Sequence, residues 1–134
     1  SLLKDIASAS EKIALLYEGR EFAKALRSIM ELADKVNGFV DENKPWEIAK
    51  DPAREADLQK ICSVTLEAFR MLSLYLKPII PTVATGVEEF LSLPPQSWSD
   101  IATPLSSKNP IKPYKHLMTR VEAPQIEALL AANL

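Results

Sequence analysis

One cysteine, one histidine and three glycines in 134 residues close off several kinds of chemistry at once. Cys62 alone can form no internal disulfide and no multi-cysteine zinc site. His116 stands in a proline-rich tail with no acidic residue at helical spacing, so neither a metal site nor a catalytic triad can be built around it. Glycines at 19, 38 and 86 lie too far apart for a phosphate-cradling loop. No apolar run reaches the roughly 18 residues of a membrane span. The first residues, "SLLKDIASAS", lack the long apolar centre of a signal peptide. A cytoplasmic protein with no membrane partner is therefore expected. The formal net charge of −2 leaves no overall basic field to draw in nucleic acid, so DNA is not an expected partner, although a local site is still allowed.

What is present suits one domain with its own core. Hydrophobic residues make up 47% and charged residues 25%, close to globular averages. The ten prolines, beside so few glycines, point to helices separated by proline-marked corners.

Apolar residues recur at helical spacing almost throughout. A first helix is expected over Leu3 to Tyr17, with Ile6, Ala9, Ile13 and Leu16 on one side and a break at Gly19. A second runs from about Arg20 to Asp41. Its inward stripe is Phe22, Leu26, Ile29, Ala33, Val36 and Val40; Lys24, Arg27, Glu31 and Lys35 face outward. Pro45 then opens a short helix that ends near Lys50, because Pro52 disfavours helical geometry at Asp51. Asp51 is a natural N-cap for a third helix, about Pro52 to Leu76.

The third helix carries two adjacent apolar stripes. One holds Leu58, Cys62, Thr65, Phe69, Leu72 and Leu76; the other holds Ile61, Val64, Ala68, Met71 and Tyr75. Lys60, Ser63, Glu67, Arg70 and Lys77 are left on the opposite side. So wide an apolar face marks the centre of a bundle, with Cys62 as a small core residue. A fourth helix follows over Pro81 to Leu91, with Val83, Val87 and Phe90 or Leu91 inward. Periodicity fades from Ser92 to Pro113, where five prolines mark a strap. Residues 114 to 122 fit either an extended segment or a helical turn. A terminal helix spans Gln125 to Ala132. The fold class is all-α: an antiparallel helix bundle with an irregular proline-rich strap and a C-terminal helix.

Catalytic groups do not converge anywhere. Glu88 and Glu89 are adjacent and diverge by about 100° on a helix, so they cannot act as a carboxylate pair. The corner "DENKPWEIAK" is the informative stretch. Asn43, Lys44, Pro45, Trp46 and Lys50 set an aromatic plane between two cations and beside an amide. Unpaired RNA bases stack on such planes, while lysines meet phosphates and amides read base edges. The alternative is that Trp46 plugs the end of the bundle as a core residue. Trp98, in "PPQSWSD", has no nearby cations and is expected to pack the strap against the bundle.

Three segments, "REFAKALRSIMELADKVNGFVDENKPWEIAK", "LQKICSVTLEAFRMLSLYLKPIIP" and "KPYKHLMTRVE", in that order resemble the C-terminal anticodon-binding domain of bacterial methionyl-tRNA synthetase. "NKPW" after "ALRSIMELADKVN", together with "HLMTRVE", carries the resemblance most specifically. "LKPIIPTVATGVEEFL" resembles a pattern spread more widely among class I synthetases. The resemblance implies a bundle that receives the CAU anticodon loop of methionine tRNA. In that family the tryptophan of the "PW" motif stacks on an anticodon base, a role that would fall to Trp46, with Pro45 shaping the same wall. Roles for Asn43, Lys44 and Lys50 follow from proximity and are not carried over from the family.

The family's HIGH-type and KMSKS-type ATP-binding signatures do not occur in these residues. The chain, residues 1 to 134, is thus expected to be a single helical domain without the catalytic domain of the parent ligase, and inactive alone. ATP and any zinc would belong to that catalytic domain, which is an expected partner. In the family an asparagine and an arginine on a preceding helix read base edges, and the chain is expected to begin after that helix. Leu117, Met118, Ile126, Leu129 and Leu130 are expected to face the catalytic half and, if exposed, to form a patch able to drive dimerisation. The competing expectation is a free-standing helical module that binds a protein partner, with Trp46 in its core.

Overall fold

The structure, a computed structural model, describes residues 1–106, 110–113 and 115–133. Among these residues all regular structure is helical, and the helices pack as a bundle. The elements are α1 (Leu2–Ser8), α2 (Ser10–Glu18), α3 (Phe22–Asn43), α4 (Pro45–Ile48), a 3₁₀ turn at Pro52–Arg54, α5 (Glu55–Leu76), α6 (Pro81–Phe90), a 3₁₀ turn at Trp98–Ala102 and α7 (Ala123–Ala132). The long helices α3 and α5 have 22 residues each, pack along one another, and are joined by the short corner that holds α4. A connection that short makes the two antiparallel.

The centre is formed by Ile6, Ile13, Ile29, Leu32, Ala68, Met71 and Tyr75, drawn from α1, α2, α3 and α5. Burial holds Tyr75 together with its surroundings. Its hydroxyl donates to the Ile6 carbonyl at 2.6 Å, and its own carbonyl accepts from the Tyr17 hydroxyl at 2.6 Å. Desolvation pushes the Tyr75 phenol up to about 12, only partly offset by the Ser10 hydroxyl, and raises Tyr17 as well.

Several sequence expectations are corrected. The single helix over Leu3–Tyr17 is two helices, broken at Ala9. Alanine has no propensity to break a helix, so the cause is tertiary. The carbonyls flanking the break are engaged by side chains, Ile6 by Tyr75 and Ser10 by Trp98 Nε1 at 3.2 Å. At the next break Gly19 keeps a negative φ of −77°, and it is Arg20 that takes the left-handed φ of 58°. The Glu21 N–H then reaches the Leu16 carbonyl at 2.8 Å, closing the end of α2.

Phe22, expected in the inward stripe, is half exposed: it is the first residue of α3 and meets the Tyr17 ring in a tilted contact, ring centroids 6.2 Å apart. Cys62 is exposed and not a core residue. Of the two stripes on α5, the one through Ala68, Met71 and Tyr75 is buried, and the Cys62 stripe is its flank. The terminal helix starts at Ala123, two residues earlier than expected.

The outward placement of Glu67, Arg70 and Lys77 is also overturned. Arg70 is 2% exposed and Glu67 is buried beside it. Arg70 Nε donates to Glu67 Oε1 at 2.9 Å, and its remaining nitrogens donate to the Asp100 carbonyl at 2.8 Å and the Ile101 carbonyl at 3.1 Å. Glu67 Oε2 accepts from the Leu105 N–H at 2.9 Å. Lys77 Nζ donates to buried Glu88 at 2.9 Å and to the Gln96 carbonyl at 2.8 Å, and the Gln96 N–H donates to the same Glu88 carboxylate. The strap therefore lies on the polar side of α5, and buried charges fasten it there with their hydrogen-bonding capacity used. Trp98 packs as expected, its ring against Tyr75 (5.2 Å) and edge-on to Tyr17 (6.0 Å). Glu88 and Glu89 diverge as expected, one buried and one exposed.

Candidate nucleic-acid interface

The corner between α3 and α5 is built by three local devices. Asn43, the last residue of α3, donates through Nδ2 to the Phe39 carbonyl at 2.8 Å. Lys44, which precedes a proline and is disfavoured in the helical region, takes the left-handed conformation, φ 45° and ψ 65°. That conformation costs a non-glycine residue about 1–2 kcal/mol. Pro45 then starts α4 at a position where its missing N–H is no loss. The Lys44 carbonyl accepts from the N–H groups of Glu47 (2.9 Å) and Ile48 (3.2 Å), so the turn is fastened from inside.

Residues two apart on a helix point about 200° apart. Ile48 enters the bundle against α5 and is 4% exposed; Trp46 consequently turns outward and is 51% exposed. Pro45, the residue before it, is half-buried. Past the turn, Asp51 caps the following 3₁₀ turn by accepting from the Ala53 N–H at 3.0 Å. The indole is thus held on a short, well-fastened projection with part of its surface open.

The polar residues of the corner are less free than spacing suggested. Asn43 has committed one amide N–H to the end of α3, leaving its oxygen and a second N–H. Lys50 pairs with Glu47 at 3.0 Å, both ends well exposed, an interaction of about 0–1 kcal/mol that an incoming phosphate can displace. Lys44 is exposed. Residues 41–57 hold six acids and three bases, so the corner is an aromatic platform in an acidic setting. His116 is exposed, and among the described residues no group of His, Cys, Asp and Glu is placed to hold a metal. Nor is any helix among them long and apolar enough to cross a membrane.

The residues that sequence reasoning missed are Glu67, Arg70, Lys77 and Glu88. They position the strap and do not touch the corner. A signal was available: Glu67 and Arg70 are spaced i, i+3 inside "LEAFRMLSLYL", where a lone ion pair amid apolar residues invites burial.

No family model matches the chain. The helical bundle is nonetheless the fold of one part of an aminoacyl-tRNA synthetase. The apo methionyl-tRNA synthetase of Mycobacterium tuberculosis superposes with a TM-score of 0.85 at 21% identity, covering 92% of this chain and 26% of that one. The same enzyme in complex with methionyl-adenylate gives 0.75 at 20% identity, over 90% and 25%. Sequence similarity is closer elsewhere. The chain is 57% identical over 132 residues to the methionine–tRNA ligase of Cupriavidus pinatubonensis, 56% to that of Cupriavidus metallidurans and 58% to that of Burkholderia vietnamiensis. Each match takes in 98% of this chain but only 18–19% of the relative. The chain is therefore related to one stretch of the methionine–tRNA ligases, and spans about a fifth of the length of the curated relatives it matches.

Proposed function

We propose that the chain is the single anticodon-binding domain of a cytoplasmic methionyl-tRNA synthetase, and that the α3–α4 corner receives the CAU anticodon loop of methionine tRNA. The observation that carries this reading is the half-open indole of Trp46 beside buried Ile48. A base that leaves the loop stacks on that indole, with Pro45 as the floor of the wall. Stacking contributes about 1–3 kcal/mol per base. Lys44 and Lys50 meet flanking phosphates, and the remaining amide groups of Asn43 meet a base edge. Ligase chemistry and its ATP belong to the rest of the relatives' length, where the catalytic domain is the second partner. Met118, Ile126, Leu129 and Leu130 are exposed, which supports a contact with that domain, whereas Leu117 is half-buried with its side chain against α6. A free-standing module with Trp46 as its core is less well supported, since a core residue would not leave half its surface open.

The test is a fluorescence titration of Trp98→Phe, in which Trp46 is the one reporter. The ligands are a CAU stem-loop and one with a changed triplet. Strong quenching by CAU and little by the other is expected. A Trp46 that responds to neither and is shielded from an added quencher would overturn the stacking role.

A further inference from the structure

The corner is short of cations, and the missing charge lies elsewhere. From Ile101 to Val121 the chain has no acidic residue, yet it holds Lys108, Lys112, Lys115, Arg120 and the one histidine. In a protein of net charge −2 this is a concentrated asymmetry. Lys108 lies outside the described residues. Lys112 and Lys115 are exposed and line a cleft against the outer face of α6, together with Pro113, His116 and Leu117.

Two contacts hold the ends of this lining against α6. At one end the Lys112 N–H donates to the Phe90 carbonyl at 2.9 Å. At the other, the Leu117 side chain rests on α6, its Cδ2 2.9 Å from where a Cβ on Gly86 would stand. The cleft has a volume of about 530 Å³, within the ordinary size range of ligand sites. Its polar lining is Thr82, Thr85 and Glu89 from α6 and Lys112, Lys115 and His116 from the later segment. The opposite face of α6, with Ala84, Val87 and Glu88, is buried, so the lined face is the one turned away from the core.

We propose that this cleft is a second contact for the same RNA, taking the phosphodiester backbone of the anticodon stem-loop. Two ammonium groups and two hydroxyls suit a phosphate oxygen. Glu89 discriminates among anions. A free phosphate dianion meets its negative charge with nothing to offer it, whereas a phosphodiester carries one charge per unit and a neighbouring ribose 2′-hydroxyl that donates to the carboxylate. The contact rests on the anticodon-loop reading and adds phosphate contacts to the two that Lys44 and Lys50 offer in the acidic corner. It reads no sequence, because phosphate contacts position and do not specify.

The experiment measures affinity of the 134-residue chain for fluorescein-labelled CAU and changed-triplet stem-loops across a salt series. Wild type is compared with Lys112→Gln/Lys115→Gln and with Trp46→Ala. The double variant is expected to lower the slope of log K against log salt by about 2, one per lysine, and to leave the ratio between the two loops unchanged. An unchanged slope in the double variant, while Trp46→Ala weakens binding, overturns the cleft and keeps the corner. A flattened slope, with Trp46→Ala without effect, keeps the cleft and overturns the corner. If inorganic phosphate shifts the Lys112 and Lys115 amide resonances to saturation and the stem-loop does not compete, the cleft is a small-anion site and the proposal fails. Absence of binding by the wild type at low salt overturns both.

Discussion

Trp46 and Ile48 stand two residues apart on a single turn of helix and face opposite ways, one 51% exposed and the other 4%. The left-handed Lys44 and the proline after it start that turn abruptly, and the burial of Ile48 against α5 fixes its rotation. Stability and RNA contact are thereby assigned to different side chains of one short element.

The two substitutions should separate accordingly. Ile48→Ala is expected to cost about 2–4 kcal/mol in urea denaturation, the ordinary cost of a buried isoleucine. Trp46→Ala should cost about 1 kcal/mol or less and weaken stem-loop binding about ten-fold or more, the equivalent of one lost stacking interaction. A fold lost with Trp46 would reverse the assignment.

Arg70 joins α5 to the strap through Glu67, Asp100 and Ile101. Arg70→Ala leaves the Glu67 charge buried without its partner, and a loss of about 3–5 kcal/mol is expected. Because Trp98 rides on the same strap, its emission should shift red before global unfolding. Simultaneous replacement of Arg70 by Met and Glu67 by Leu should recover much of the loss, which thermal melts of the three variants will show.

Alkaline pH should weaken the fold through Tyr75. Its phenol is raised from 10.0 to about 12 by burial, so the folded state holds the proton more tightly than the unfolded chain. The associated stability is complete below pH 10 and lost as pH rises through about 12. Two pH units correspond to at most about 2–3 kcal/mol. Tyr75→Phe should flatten this limb of the stability–pH curve and lower stability at neutral pH by about 1 kcal/mol, through loss of the bond to Ile6.

Cys62 is exposed on the flank of α5. The native protein should react with a thiol reagent such as DTNB to one equivalent without prior unfolding. Cys62→Ser should change stability by less than about 0.5 kcal/mol. Protection until denaturation would place the thiol in the core after all.

Periodicity set out most of the helices, their order and about half of the buried residues, among them Ile6, Ile13, Ile29, Ala68, Met71, Tyr75 and Val87, because an amphipathic helix writes its packing face into its own spacing. Proline positions likewise marked the corner, since proline fixes φ and removes a donor wherever it stands. The corner's residue types could be read from the same stretch, and with them the candidate site.

Other features depended on what each helix meets in space. Nothing at Ala9 predicts a break; the hydroxyl of Tyr75 and the indole of Trp98, distant in sequence, engage the carbonyls on either side of it. Glu67, Arg70 and Lys77 read as a solvated face until the strap covers them, and no local pattern announces which face a strap will cover. Cys62 sits in a stripe as apolar as its neighbour, and only the position of α3 decides which of the two is buried. The open side of Trp46 belongs to the same class. The sequence by itself determined that an indole stands at a helix break; the packing of Ile48, two residues on, decided that it faces outward. Orientation about a helix axis is set by the contact that removes the most apolar surface from water, and that contact exists only in the folded chain.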